Sequence, residues 1–322
     1  LRRYGQETLL VVANLSRYVQ CAELDLTRFR GQTPVELFGL TRFPTIGQLP
    51  YFLTLGPYTF YWFRLGWAGD EAEPLAAELP ACSVTGRWDA LFEGKPLARL
   101  EAALPAYLKR QRWFAGKARP VRGMKLVDVL TIYDVPEVTA EMRRIGYHQE
   151  GGLPATRLLL VRVDYIQGEP ETYVLPVVFA QGDQEQNILG DRPGAGILSV
   201  TRADDGQGAT LCDTIHESEF WRLLYDAVDR GRTIPGRNGE AEPFQTEALA
   251  RLGTELAPYT AVHGGEQSNT SAVLGGRLVL KLFRRISEGE NPDLEIGRYL
   301  TQRTRLACVP QVAGALEYRT AG

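Results

Sequence analysis

The first 66 residues are a succession of short runs with the composition of β-strands, and this pattern leaves little room for helix. Five runs rich in leucine, aromatic and β-branched residues follow one another, namely ETLLVVANL, QCAELDL, PVELFG, YFLTLGPY and TFYWFRL. Glycine and proline separate them at intervals of about ten residues, as in a small antiparallel sandwich. We therefore predict an all-β sandwich over residues 1–66.

Residues 67–95 have the composition of a linker that ends in a folded segment, because acidic residues, alanine and proline dominate their first half. A helix is predicted at about residues 96–113, with Pro96 in the first turn, where proline is tolerated. One face of this helix is apolar and carries Leu97, Leu100, Leu104, Tyr107 and Leu108.

Four strand-like runs follow, MKLVDVLTIYDV, TRLLLVRVDYI, TYVLPVVFA and AGILSVTR, and then a helical run, ESEFWRLLYDAVDRG. Consecutive strands between two helices predict an α+β domain with an antiparallel sheet over residues 96–250. The sequence shows no alternation of strand and helix, which argues against a dinucleotide-binding fold. Residues 231–250 are polar and are interpreted as a connection.

The charge of the whole chain argues against a nucleic-acid partner, since 36 Lys and Arg face 39 Asp and Glu. One stretch, KRQRWFAGKARPVR at 109–122, is nevertheless basic and includes Trp113 and Phe114. It fits single-stranded nucleic acid poorly in an acidic chain. It also fits an anion contact, or a helix C-terminus whose cations complement the helix dipole. In that last case the two aromatic residues anchor it in the core and Gly116 caps it.

The four cysteines, Cys21, Cys82, Cys212 and Cys308, have no metal-ligand spacing, and only three histidines accompany them. We interpret them as reduced thiols, and we predict no metal site. No apolar run reaches the roughly 18 residues that a membrane span needs, and no signal peptide is apparent. A cytoplasmic protein without a membrane partner is expected. The chain does not begin with Met, so it is expected to be a piece of a longer protein.

A small polar turn lies between two strand-like runs in HGGEQSNTSAVLGGRLVLKLFRR, residues 263–285. Small residues let backbone N–H groups approach a phosphate. The turn matches neither glycine-rich phosphate-loop signature, so its context carries the argument. YTAVH and SAVLGG can form a hairpin, and RLVLKLF can be its third strand. The residues of the turn that we assign to phosphate contact are Gly264, Gly265, Ser268, Asn269, Thr270 and Ser271.

The third strand carries a lysine, Lys281, on the face that Val279 and Phe283 share. An ammonium buried there requires an anion, because an unpaired buried charge is costly. A helix is predicted from Asn291 and Pro292, a good N-cap followed by proline at the first position. It contains Glu295, within reach of an ion pair with Lys281. Glu288 and Glu290 are rival partners in the loop, and a plain hairpin with an exposed lysine is the alternative.

Three stretches in this order resemble a known family. QRWFAGKAR resembles the N-terminal cap domain of bacterial maltokinase, and GGEQSNTS with LVLKLFRR and NPDLEIGRYLT resembles the start of that enzyme's kinase N-lobe. The strands of residues 1–66 resemble the C-terminal β-domain of trehalose synthase. This is the order of trehalose synthase/maltokinase fusion proteins. The resemblance implies a multidomain chain: an all-β sandwich, an α+β cap domain, and a partial protein-kinase-like N-lobe over residues 251–322.

The resemblance also implies two activities in the full protein: interconversion of maltose and trehalose, and transfer of phosphate from ATP with Mg²⁺ to maltose. Lys281 would hold the α- and β-phosphates, Glu295 would orient Lys281, and residues 264–271 would cover the triphosphate. No catalytic residue or metal ligand is assigned within this chain. The catalytic barrel would precede Leu1 and the second kinase lobe would follow Gly322.

Catalytic inactivity of this chain alone is therefore expected. A non-catalytic carbohydrate-binding or assembly module is the alternative, since Tyr and Trp of YFLTLGPYTFYWF could stack on sugar rings or fill the sandwich core. An incomplete N-lobe sheet would expose an edge and a face, so we expect self-association or disorder in residues 251–322.

Overall fold

A computed structural model gives the structure of the chain. It describes residues 1–4, 7–37, 43–56, 58–67, 79–111, 113–134, 155–251, 260–263, 269–304 and 309–320. The chain divides into two compact units, Leu1–Glu78 and Leu79–Gly322. None of the helices in the described ranges has the length and apolar character needed to cross a membrane.

The first unit is built from strands, and all five predicted runs form one. Its strands are β1 (Arg2–Tyr4), β2 (Glu7–Ala13), β3 (Gln20–Leu24), β4 (Gln32–Glu36), β5 (Tyr51–Leu55) and β6 (Phe60–Trp67). Four of them form an antiparallel sheet in the order β1-β2-β6-β4, and β3 pairs with β5 in a second sheet. A small apolar core is made by Leu10, Leu26, Ile46, Leu53, Leu55, Phe63 and Leu65. The predicted all-β unit is therefore observed.

The second unit begins with a large sheet and its helices. Its elements follow one another as β7 (Ala81–Val84), α1 (Gly94–Arg110), β8 (Val121–Tyr133), β9 (Thr156–Tyr165), β10 (Glu171–Ala180), α2 (Gly182–Asp191), β11 (Gly196–Arg202), β12 (Gly208–Asp213) and α3 (Ser218–Asp229). The sheet order is β7-β11-β12-β10-β9-β8, antiparallel except where β7 joins β11. The antiparallel sheet and the helices at both ends of this segment agree with the prediction.

The rest of the second unit adds short strands and one long helix. It continues as β13 (Ile234–Pro235), β14 (Gly239–Gln245), α4 (Glu247–Ala250), β15 (Thr260–His263), β16 (Asn269–Leu274), β17 (Leu278–Phe283), β18 (Arg285–Ile286), α5 (Pro292–Arg303) and β19 (Gly314–Thr320). Two three-stranded sheets result, β13-β14-β19 and β15-β16-β17, and β18 joins the large sheet beside β10.

The large sheet is covered on both faces, because alternate residues of its central strands enter two different cores. On β9, Leu159 and Val161 belong to the core that contains α1, whereas Leu160 belongs to the core that contains α3. On β10, Tyr173 and Val174 divide in the same way. The second core also receives Ala272 of β16, so the β15-β16-β17 sheet packs on the α3 side.

Residues 79–95 are folded into the second unit, although the sequence placed them in a linker. β7 pairs in parallel with β11, and a 3-10 turn at Trp88–Phe92 follows it. The turn is tied to the sheet by Arg157 of β9, whose side chain is 2% exposed. Nε and Nη2 of Arg157 donate to the two carboxylate oxygens of Asp89 at 3.0 and 2.8 Å, and Nη2 also donates to Asp134 at 2.8 Å. A buried guanidinium needs these anions, and it thereby fixes the segment that carries Asp89.

Residues 231–250 are not a simple polar connection. β14 lies there and pairs over its whole length with β19, which the sequence had placed in a kinase-like sheet. Asp128 of β8, 1% exposed, secures this arrangement. Its carboxylate accepts hydrogen bonds from the backbone N–H groups of Arg237 and Asn238 and from the hydroxyl of Tyr318 on β19. The polar composition of β14 suggested a loop. The local sequence does not reveal its pairing partner, because β19 comes much later in the chain.

Replacing Arg157 by alanine should destabilise the second unit by about 2 kcal/mol or more, because a buried side chain is lost together with its hydrogen bonds to Asp89, Asp134 and the carbonyl of Tyr133. The matched control is Arg162→Ala on the same strand: Arg162 is about half exposed and pairs with Asp164, so its loss should cost at most about 1 kcal/mol. Urea unfolding of both variants measures the difference. Equal losses would show that the Arg157 cluster does not hold residues 79–95 in place.

Candidate nucleotide-binding site

The predicted hairpin and third strand are present as the antiparallel sheet β15-β16-β17. The register pairs Ser271 of β16 with Lys281 of β17, and Asn269 with Phe283. Directly opposite residues on antiparallel strands have neighbouring side chains on the same face. Asn269, Ser271 and Lys281, three of the residues that the sequence assigned to phosphate contact, therefore lie on one face of this sheet.

Thr270 faces the opposite side and cannot belong to the same group. It is 7% exposed, and its hydroxyl accepts a hydrogen bond from Nε of Arg284 at 3.1 Å. Leu280 and Leu282 of β17 share this side and pack against the α3 core. Successive residues of a strand point to opposite faces, so Thr270 faces away from Asn269 and Ser271. The sequence prediction took the turn as one continuous run and therefore included Thr270 among the phosphate contacts.

The face that carries Lys281 is open to solvent. Lys281 is exposed, and Val279 beside it is 62% exposed. Lys281 is thus the exposed lysine of the alternative, and it does not require a buried counter-charge. Lys281 instead presents three N–H donors to solvent, next to the hydroxyl of Ser271 and the amide of Asn269.

The helix that carries Glu295 starts as predicted, but it does not contact Lys281 through an ion pair in the described residues. Asn291 is the N-cap, and its side-chain oxygen accepts from the backbone N–H of Asp293 at 2.9 Å. Glu295 is exposed in the first turn of α5. Glu290, one of the rival partners, pairs with Arg298 on the same helix.

Part of the predicted site lies outside the described residues. Gly264, Gly265 and Ser268 belong to the segment 264–268, which the structure does not describe. Within the described ranges, no three His, Cys, Asp or Glu side chains are grouped closely enough to hold a metal ion. The cysteines Cys21, Cys82 and Cys212 are free thiols, and Cys308 lies outside the described residues.

A buried charged cluster that sequence reasoning missed lies directly behind this face. Arg284, 1% exposed, donates to Thr270 at 3.1 Å and to the carbonyl of Val174 at 3.4 Å, and its Nη2 lies 3.9 Å from Asp213. The hydroxyl of Tyr107 on α1 donates to the same Asp213 oxygen at 2.6 Å. Residues of β16, β10 and β12 thus meet at one guanidinium, and α1 joins them through Asp213.

The electrostatics of the cluster keep its hydrogen-bond roles fixed. Burial, and then the neighbouring Asp213 carboxylate, raise the pKa of Tyr107 well above its usual value, so this hydroxyl remains a donor. Burial lowers the pKa of the Arg284 guanidinium, and Asp213 acts in the opposite direction. An arginine side chain has no acceptor atom, so Arg284 acts as the donor to each of its partners. The Arg284 guanidinium is costly to move, because its partners inside the core would lose their hydrogen bonds.

The basic aromatic stretch contributes its two aromatic residues to the core around the cluster. Trp113 and Phe114 are 9% and 1% exposed, and the Arg284 guanidinium carbon lies 4.4 Å from the Trp113 ring centroid. The two aromatic residues are therefore core anchors. The helix before them ends at Arg110, so Gly116 is not its cap. A Cβ on Gly116 would collide with the hydroxyl of Tyr165, which explains why glycine is required there.

A second cluster, around Glu171, ties β18 to the large sheet. One carboxylate oxygen of Glu171 accepts from the hydroxyls of Tyr165 and Tyr173, both at 2.6 Å. The other lies 2.9 Å from Arg285 of β18 and 3.2 Å from Arg119. Burial alone would raise the pKa of Glu171, but the bonds from the two tyrosines and Arg285 outweigh it, and the pKa lies below its usual value.

In the first unit the aromatic residues divide between core and surface. Phe63 is 1% exposed and belongs to the core, and Tyr61 packs against that core. Phe60 and Trp62, which alternate with them on β6, are 47% and 39% exposed, and Phe52 on β5 is 66% exposed. Both uses that the sequence left open, core filling and outward presentation, therefore occur on the same strand.

Comparisons with known proteins match two parts of the chain to different families. Residues 1–62 match the family described as "Maltogenic Amylase, C-terminal domain", and residues 107–229 match "Maltokinase N-terminal cap domain". The two matches stand in the order that the resemblance to a fusion protein required. Neither match extends beyond residue 229. The kinase-like interpretation of residues 251–322 therefore depends on their own sequence and fold.

Similar proteins are trehalose synthases, in agreement with the family match of residues 1–62. The trehalose synthase of Pimelobacter sp. (strain R48) is 54% identical over 61 residues, which is 19% of this chain and 11% of that protein. The trehalose synthase/amylase TreS of Mycobacterium tuberculosis (strain CDC 1551 / Oshkosh) is 56% identical over 59 residues, 18% of this chain and 10% of that protein. The trehalose synthase of Thermus thermophilus is 34% identical over 166 residues, 46% of this chain and 17% of that protein, so this alignment extends beyond the first unit. The chain thus spans less than a fifth of each of these relatives.

Acid should weaken the second unit through Glu171. Because its folded-state pKa is lowered, the folded protein binds fewer protons than the unfolded chain, and the stabilisation present at neutral pH is lost as pH falls below about 4.5. The gap in unfolding free energy between the natural chain and Glu171→Gln should therefore shrink between pH 6 and pH 3, as measured by urea unfolding.

The control for this measurement is Glu169→Gln, an exposed carboxyl two residues away. It should change stability little at any pH in the series. A gap for Glu171→Gln that stays constant down to pH 3 would contradict the assignment of the Glu171 cluster as a charged anchor for β18.

Proposed function

We propose that this chain, which joins a maltogenic-amylase-type C-terminal domain to a maltokinase N-terminal cap domain as trehalose synthase/maltokinase fusion proteins do, serves in maltose and trehalose metabolism and contributes part of an ATP site. The parent protein would interconvert maltose and trehalose with one part and phosphorylate maltose from ATP with the other. The named relatives support an enzymatic parent. The nucleotide-binding part falls to residues 260–303 of this chain.

The observation that supports the ATP site is the shared face of β16 and β17. Lys281 and Ser271 are opposite residues in the register, and Asn269 lies two residues along the same face. One ammonium beside a hydroxyl on a solvent-open strand face suits the phosphates of a nucleotide. Phosphoryl transfer depends chiefly on such positioning and on charge neutralisation. In this proposal Lys281 contacts the α- and β-phosphates.

Glu295 and Mg²⁺ have secondary roles in the proposed site. Glu295 would orient Lys281, and since the two do not pair in the structure, that ion pair would form when nucleotide binds. Catalytic contacts in unliganded proteins are often long and tighten with substrate. Mg²⁺ would be held by the nucleotide phosphates and by ligands beyond the residues assigned here. Thr270 is withdrawn from the phosphate contacts, because its hydroxyl bonds to Arg284 inside the core.

Lys281→Ala should weaken MgATP binding by the 322-residue chain about tenfold, because a charge-assisted contact to phosphate is worth roughly 1.5–3 kcal/mol. Isothermal titration calorimetry with MgATP measures the affinity. Lys95→Ala is the control, since Lys95 is also exposed but lies in the first turn of α1, away from the β15-β16-β17 sheet. The absence of saturable MgATP binding, or equal affinity in both variants, would overturn the proposed site.

The 322-residue chain by itself should not form maltose 1-phosphate. Phosphoryl transfer needs a group that orients the acceptor hydroxyl and ligands for Mg²⁺, and none is assigned among the residues of this chain. Incubation with ATP, Mg²⁺ and maltose, followed by mass spectrometry of the sugar fraction, tests this. Formation of maltose 1-phosphate above a protein-free control would show that the chain is catalytically complete.

A further inference from the structure

We propose that Arg284 is a positioning residue for nucleotide binding, and that the cap residues Tyr107 and Asp213 act through it to set the place of the strands that carry Ser271 and Lys281. This inference rests on the proposed ATP site and deepens it. It assigns to the cap a role in the affinity of the site for nucleotide. The contact between cap and hairpin is thus more than structural support.

The guanidinium of Arg284 links both strands of the site. Arg284 directly follows β17, and its Nε donates to Thr270, the second residue of β16. This contact lies at the end of the hairpin where Asn269 pairs with Phe283, next to the segment 264–268. Arg284 therefore fixes the two strands at the end where the polar turn begins.

The other side of Arg284 is anchored in the cap. Its side chain donates to the carbonyl of Val174, and its own backbone carbonyl accepts from Val174 N–H at 2.8 Å. Asp213 lies 3.9 Å away and is itself held by Tyr107 at 2.6 Å and by the backbone N–H of Ile215 at 2.8 Å. The anchor thus consists of the central strand β10, the end of β12 and the helix α1.

A short length of strand separates the anchor from the ligand face. Arg284 comes three positions after Lys281 in the chain, a distance of about 10 Å along an extended backbone. Thr270 and Ser271 are adjacent, yet one bonds to Arg284 in the core and the other belongs to the outer face with Lys281. A shift of the guanidinium therefore moves the ligand face with it, and errors of about 1 Å in the placement of such groups are costly for a bound substrate.

A built-in reporter allows the coupling to be observed. The ring of Trp113 lies against the Arg284 guanidinium at 4.4 Å. If the cluster and the nucleotide site are coupled, nucleotide binding must also change the cluster, since such coupling is reciprocal. MgATP should then alter the fluorescence of Trp113, and Trp113→Phe should remove that component of the change.

The experiment compares two tyrosine variants that remove the same kind of bond. Tyr107→Phe removes the hydroxyl that donates to buried Asp213. Tyr318→Phe removes a hydroxyl that donates at 2.8 Å to buried Asp128, elsewhere in the same unit. A second pair tests the other side of Arg284: Thr270→Val removes the acceptor of its Nε, and Thr270→Ser keeps it. MgATP affinity by calorimetry, thermal stability and tryptophan fluorescence are measured for all four.

We expect Tyr107→Phe and Thr270→Val to weaken MgATP binding about fivefold or more, in the range typical of coupled sites. Tyr318→Phe should lower stability without changing the affinity, and Thr270→Ser should bind MgATP as the natural chain does. The MgATP-induced fluorescence change assigned to Trp113 should shrink in Tyr107→Phe. If the cluster only held the fold together, Thr270→Val would lower the stability and leave the affinity for MgATP unchanged.

The two proposals fail in different ways. If the natural chain does not bind MgATP, the proposed ATP site is wrong and this inference falls with it. If the natural chain binds MgATP and Lys281→Ala weakens binding, but Tyr107→Phe and Tyr318→Phe bind alike, the ATP site stands and the positioning role of Arg284 is wrong. A Tyr107→Phe chain with lowered stability and unchanged affinity would likewise show that Arg284 holds the fold without positioning the site.

Discussion

A guanidinium placed inside a protein must meet its counter-charge and hydrogen-bond acceptors there, and Arg284 imposes that condition on the second unit. Its partners come from β10, β12, β16 and, through Asp213, from α1. The hairpin of the candidate site is consequently packed as part of the cap's own core. The face that remains open, with Ser271 and Lys281, is the side that Arg284 does not use.

Two other buried charges join distant segments by the same rule. Arg157 joins the turn at Trp88–Phe92 to β9, and Asp128 joins β8 to the turn before β14 and to β19. In each case a charge inside the sheet region finds partners on chain that lies far away in sequence. These contacts explain why residues 79–322 behave as one compact unit, although composition suggested a linker, a cap and a separate lobe.

Local features of the sequence predicted local structure well. The five predicted strands of the first unit (β2 to β6), the hairpin of β15 and β16, and the cap at Asn291 each depend on residues within one short window, where alternation and capping are decisive. Partners that arrive late were not predictable in this way. The composition of β14 is polar and resembles that of a loop, and the strand that pairs with it, β19, comes much later in the chain. The two arginines of LKLFRR have the same local sequence, although Arg284 is buried and Arg285 is exposed. Tyr107 and Asp213, 106 residues apart, meet only in the fold.

The pairing of β18 with β10 has a consequence for recombination between related genes. β18 occupies the edge of β10 beside Thr172 and Tyr173, next to the part of the strand that β12 covers. A crossover between residues 230 and 260 would join a cap from one parent to a hairpin from another. The guanidinium at position 284 would then face a carboxylate and a tyrosine from a different ancestor. Such an exchange should preserve the contacts of the buried guanidinium only where both parents supply the same charges.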